Sequence, residues 1–319
     1  MSRIRSVVAA GLILAGSAAS ALAQAGFGPL VSPAQVAEAQ TASDALVLDI
    51  RAGRDAAGKT AFENGHIPGA VPAPYGRWRG PDNNPGQVPN DEALTALFRS
   101  IGVDGKRPVV VVHQGADETD FGAAARVYWT LKSAGVSQLA ILNGGMNAWV
   151  KDGREVSRQP VAPRTSDYTV ALSRKWLATR DEVRAVVDGK SNATLIDSRP
   201  EAFYKGETAH AAASRPGTLP HAKLFTHSRW FTSGPTAIDP ASAQKLLADS
   251  GFKKDATLVS FCNTGHWAAT NWFALSELAG AENVKLYPES MVDWSNAGLP
   301  MANVPGLMQN LWKQIKGWF

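Results

Sequence analysis

Cys262 is the only cysteine among 319 residues, and its surroundings give it a distinct setting. Residues 256–261 (ATLVSF) are a short apolar, partly β-branched run of the kind that builds a buried strand. Asn263, Thr264, Gly265, His266 and Trp267 then make a compact loop. Beyond it, Ala269, Trp272, Phe273, Leu275 and Leu278 recur at helical spacing. A thiol between a strand end and a helix start lies where backbone N–H groups converge without partners. Such groups favour an anion, and so the thiolate over the thiol. A lone cysteine is more often a small buried hydrophobe, so the rest of the chain has to separate the two readings.

The elements that must hold Cys262 occur twice. Residues 46–51 (LVLDIR) and 195–199 (LIDSR) are strands ending in Asp49-x-Arg51 and Asp197-x-Arg199. Residues 108–112 and 256–261 are second strands, each followed by a loop and a helical run. The segments 140–149 and 284–294 close the two units, with Met146 and Trp149 matched by Met291 and Trp294. Strands alternating with helical stretches predict an α/β fold, each unit a parallel sheet with helices on both faces. The expected domains are 24–156 and 166–305, joined by the Pro-containing linker 157–165.

Aligning 108–112 with 256–260 places Gln114 opposite Cys262, beside the acids Asp117, Glu118 and Asp120. The first domain is therefore expected to be chemically silent, a scaffold whose side chains wall the cleft. Trp230 and Trp267 are expected near the cleft mouth, and a strand-end pair such as Asp197–Arg199 reads as a structural ion pair.

Composition narrows the function further. Residues 1–23, with Arg3 and Arg5, the apolar stretch 7–15 and the A-x-A signature at 21–23, read as a signal peptide. They predict a periplasmic protein. Without them the formal charge falls from +4 to +2, and no basic stripe suggests a nucleic-acid partner. One cysteine forbids an internal disulfide, and six histidines without H-x-x-x-H spacing argue against a metal. A thiol left unpaired in an oxidising compartment suggests one that reacts. The tail 306–319 places Leu307, Leu311, Ile315 and Trp318 near one face beside Lys313 and Lys316. It would suit either a membrane surface or the second domain.

Two units of this design, with the cysteine loop in the second only, resemble the tandem-domain rhodanese sulfurtransferases over about residues 30–300. The turn 65–70 (GHIPGA) and the stretch 142–145 (LNGG) with Trp149 are similar to that family's signatures. The resemblance implies a small-molecule sulfur donor such as thiosulfate, mercaptopyruvate or a persulfide, a thiol, cyanide or protein acceptor, and no cofactor. Cys262 would carry the sulfur as a persulfide, cradled by the amides of residues 263–267.

The sequence also departs from the family. No position from 263 to 267 holds a formal cation, and Phe203 stands at the expected substrate arginine, with Lys205 two residues on. Weak use of anionic donors is expected, with Lys205 and His266 as the candidate substrate contacts. A phosphatase would need arginine six positions after the cysteine, where Ala268 stands. A non-turnover sulfur carrier is the alternative to an enzyme.

Overall fold

The computed structural model describes residues 27–306. The signal peptide expected over 1–23 and nearly all of the tail expected over 306–319 lie outside the described residues. In the first domain, β1 (Leu30–Val31), β2 (Leu46–Asp49), β3 (Val71–Pro72), β4 (Val109–Val112) and β5 (Leu139–Leu142) form one parallel sheet. Its order is β1-β5-β4-β2-β3. Helices α1 (Pro33–Ser43), α2 (Ala61–Asn64), α3 (Asp91–Ile101), α4 (Glu118–Ser133) and α5 (Gly145–Lys151) connect the strands.

The second domain repeats the plan with α6 (Arg180–Val187), β6 (Thr194–Asp197), α7 (Glu201–Tyr204), β7 (Lys223–Leu224) and α8 (Pro240–Asp249). It continues through β8 (Thr257–Phe261), α9 (Trp267–Phe273), β9 (Asn283–Leu286) and α10 (Ser290–Asn296). Its parallel sheet runs β7-β6-β8-β9. Leu177 bridges Leu286 in parallel, where β1 lies against β5 in the first domain. The expected α/β fold with two tandem domains is the observed one.

Alternation along the strands decides which side chains face the other domain. Val109 and Val111 join a core shared by both domains, whereas Val110 and Val112 face the outer core of the first. Leu258 and Cys262 join the shared core, whereas Val259 and Phe261 face the outer core of the second. The thiol thus points toward the domain interface because it lies an even number of residues from Leu258.

The interface is aromatic. Phe121 of α4 meets Phe231 and Phe273 edge-on at 5.5 and 5.7 Å, and Tyr128 meets Phe273 at 5.0 Å. The connector between domains extends beyond the expected 157–165. Arg99 donates to Tyr168 O at 2.9 Å, the Tyr168 hydroxyl to Ala134 O at 2.6 Å, and Ser173 N–H to Ser133 O at 2.7 Å. Residues 166–173 therefore pack on the first domain, and the second sheet begins to bond at Trp176.

Candidate active site

Cys262 follows β8 directly and is 1 % exposed. Its N–H donates to Ser290 Oγ at 3.0 Å, and its carbonyl accepts from Met291 N–H at 3.1 Å. Past it the chain turns through Gly265, at φ +68°, into α9. The glycine is required there, since a Cβ would lie 2.3 Å from Pro288 O and 2.5 Å from an Arg126 nitrogen. Among the described residues, the amides of Asn263 through Ala268 have no protein acceptor. Consecutive free N–H groups around a tight turn make an anion-binding concavity, here beside the thiol.

Asp197 and Arg199 hold this loop from below. Arg199 Nε and Nη2 donate to the two Asp197 oxygens at 2.9 and 2.6 Å, and the pair is buried. The remaining guanidinium donors reach Asn263 Oδ1 at 3.2 Å and Gly217 O at 2.8 Å. The first domain reproduces the arrangement: Arg51 grips Asp49 at 2.9 and 2.6 Å, Gln114 Oε1 at 3.2 Å and Gly65 O at 2.6 Å.

Gln114 is thus the counterpart of Asn263, not of Cys262. The sheet register agrees, because Asp49 pairs with Val112 and Asp197 with Phe261. His113 is the residue in the nucleophile's place. Its loop is closed from within: Asp120 accepts from the amides of Gly115 and Ala116 at 2.6 and 3.1 Å and from His113 Nδ1 at 2.9 Å. Burial opposes charge on Asp120, but these donors outweigh it and hold the carboxyl below its ordinary range.

The far side of the Cys262 loop is built by the first domain. His266 Nε2 donates to Thr119 O at 2.5 Å, while its Nδ1 accepts from the Tyr75 hydroxyl at 3.0 Å. Tyr75 in turn accepts from Arg79 at 3.0 Å. Burial, then the Arg79 charge, bring His266 down to about 4, so both nitrogens are committed and the ring is neutral at pH 7. The ring packs against Gly122, where a Cβ would come within 2.8 Å of it. Trp267 donates to Thr119 Oγ1 at 3.1 Å, lies flat on His227 at 4.9 Å and meets Phe203 edge-on.

Arg126, in the middle of α4, is fully buried. It donates to Gly86 O at 2.9 Å and to Gly265 O at 3.4 Å, and its ring-like plane lies over Trp129. Among the described residues its Nε has no partner. Burial first, then Arg79, lower it to about 9, so it remains a cation at neutral pH.

Several expected residues lie elsewhere. Lys205 is exposed, with its ammonium 2.8 Å from Glu201 on α7. Trp230 is in the core, donating to Asn271 Oδ1 at 2.7 Å, because its ring fills the space beside Phe225. His266 faces the first domain as a neutral bridge. Tyr75, Arg79, Thr119, Arg126 and Ser290 escaped the sequence reading. For Arg126 a signal exists, a charge inside the apolar run 123–131. For Ser290 it is the match to Gly145, both at a left-handed φ (+54° and +59°).

Comparison with known proteins agrees with the fold. The family model described as "Rhodanese-like domain" matches residues 32–152 and 179–297. A protein of Mycobacterium tuberculosis (strain ATCC 25618 / H37Rv), named "Putative thiosulfate sulfurtransferase", is 29% identical over 254 residues, covering 76% of this chain and 87% of its own. "Sulfur carrier protein TtuD" of Thermus thermophilus is 28% identical over 255 residues, covering 76% and 86%. The anaerobic ergothioneine biosynthesis enzyme from Chlorobium limicola shares the fold with a TM-score of 0.72 at 21% identity, over 86% of this chain and 69% of that one. With both matched segments coinciding with the two sheets and their helices, this chain belongs to the rhodanese-like domain family and carries the domain twice in tandem.

Proposed function

We propose that the protein is a sulfurtransferase that carries sulfane sulfur as a persulfide on Cys262. The observation that carries the reading is the run of amides from Asn263 to Ala268, unpaired among the described residues, around a thiol that no disulfide competes for. In the first half-reaction the Cys262 thiolate attacks the outer sulfur of a donor such as thiosulfate. A Cys262–sulfur bond forms, the donor's sulfur–sulfur bond breaks, and sulfite leaves with the electron pair. The terminal persulfide sulfur bears the negative charge, and the loop amides can receive it without a metal. A thiolate or cyanide then attacks that terminal sulfur, and Cys262 departs as thiolate.

The matched relatives named for thiosulfate sulfur transfer and for sulfur carriage support this reading. A carrier that releases sulfur only to a partner protein is the second reading, supported by the relative of that name. Residues 1–23 support export to the periplasm. Mass spectrometry of the purified chain after exposure to thiosulfate tests the proposal. The peptide holding Cys262 should gain one sulfur atom, and cyanide should remove it. Steady-state turnover with cyanide separates enzyme from carrier.

A further inference from the structure

The sequence places no cation in the Cys262 loop, yet the folded protein brings two guanidinium groups to it from the other domain. Arg126 reaches the loop at Gly265 O, and Arg79 reaches it through Tyr75 and His266. Among the described residues, neither has a carboxylate within ion-pair distance. Arg126 lies within electrostatic reach of Arg79, of Tyr75 and of the Cys262 thiol, and Arg79 within reach of Tyr75. Glu289, the acid nearest Arg126 in electrostatic reach, is engaged by Asn84 at 3.1 Å, and burial, then Asp293, raise its carboxyl above the ordinary range. A buried, uncompensated cation is unfavourable. Arg126 is such a cation, buried with an unsatisfied N–H and with the half-buried Arg79 in electrostatic reach, an arrangement that calls for an anion.

We propose that Arg126 and Arg79 of the first domain are the cations of the second domain's site. They select an anionic sulfur donor and hold the charge of Cys262 and of its persulfide. This deepens the Cys262 reading and rests on it. It assigns the first domain a part in the chemistry, in place of the silent scaffold expected from its missing cysteine. It also reverses the expected weak use of anionic donors, because the charge absent at Phe203 and in the loop is supplied across the interface.

The test uses the full chain with Arg126→Met, Arg126→Lys and Arg79→Gln. The single cysteine makes iodoacetamide alkylation report on Cys262 alone. Arg126→Met should slow alkylation at neutral pH by about tenfold, as expected on losing a nearby opposite charge. It should also lower kcat/KM for thiosulfate by about tenfold or more, with a smaller loss for an uncharged organic trisulfide. Arg126→Lys should restore most of both, and Arg79→Gln should raise KM for thiosulfate more than for the trisulfide. An unchanged alkylation rate with equal losses for both donors would overturn the proposal, as would an unchanged thiosulfate rate. Should Arg126→Met fail to fold, Arg79→Gln decides alone, and an unaltered donor preference in it overturns the pairing. If the parent protein takes no sulfur on Cys262, the persulfide reading fails, a result distinct from all of these.

Discussion

His113 of the first domain occupies the position that Cys262 holds in the second. The carbonyl of His113 accepts from Met146 N–H at 2.8 Å, as that of Cys262 accepts from Met291 N–H at 3.1 Å. Beyond that shared point the two loops diverge. The loop after Cys262 leaves its amides open, and the loop after His113 fills its own with the Asp120 carboxylate. The domains therefore differ in two coupled features, nucleophile and cradle.

Restoring the nucleophile without the cradle should not restore function. In a His113→Cys, Cys262→Ser double variant, peptide mapping after thiosulfate treatment should find no sulfur at position 113. Asp120 would repel a persulfide there and already occupies the amides. Sulfur found at position 113 would show that the cradle is dispensable.

Cys262→Ser alone should fold as the parent does and take up no sulfur. The substitution is nearly isosteric at a site 1 % exposed, but a hydroxyl stays protonated at neutral pH. Appreciable transfer activity in a correctly folded variant would remove Cys262 from the mechanism.

His266 should not act as a cation near neutral pH. With its folded value at about 4, below the ordinary histidine value of about 6.5, the unfolded chain binds the extra proton between them. Stability from this group is complete above about pH 6.5 and falls as pH drops toward 4. Melting temperature should decline over that window, and less steeply in His266→Asn. Transfer activity should show no His266-dependent rise below pH 6.5. Such a rise, absent in the variant, would mean the ring is charged and free.

Gly122→Ala should push α4 away from the loop. Its Cβ would sit 2.8 Å from His266 Cδ2 and 2.9 Å from Nε2, and the ring is pinned at both nitrogens. Overpacking of this kind destabilises by about 1–3 kcal/mol. Urea unfolding measures the loss, and an unchanged midpoint would show that the interface yields at no expense.

Ser290→Ala and Ser290→Gly should separate two effects at one position. Alanine strands the buried Cys262 N–H, a loss of about 1–3 kcal/mol, and keeps the left-handed backbone. Glycine loses the same bond but relieves backbone strain of about 1–3 kcal/mol. The glycine variant should therefore be the more stable of the two in urea, and the reverse order would refute the strain argument.

Duplication, strand-end Asp-x-Arg pairs and the loop after Cys262 were legible in the sequence because each is local. Alternation along 256–261 sets which way a strand residue points, and an acid and an arginine two residues apart at a strand end must meet. Register was less legible. The uniform run Val109–Val112 carries no internal mark, and only its pairing with β2, Asp49 against Val112, makes His113 the counterpart of Cys262. Neither the charge at the site nor the state of His266 could be read at all. Both depend on Arg79, Tyr75, Thr119 and Arg126, which lie more than a hundred residues from Cys262. No periodicity records such a meeting. It is decided when the apolar faces of α4 and α9 pack and bring a half-buried neutral histidine and a buried cation together.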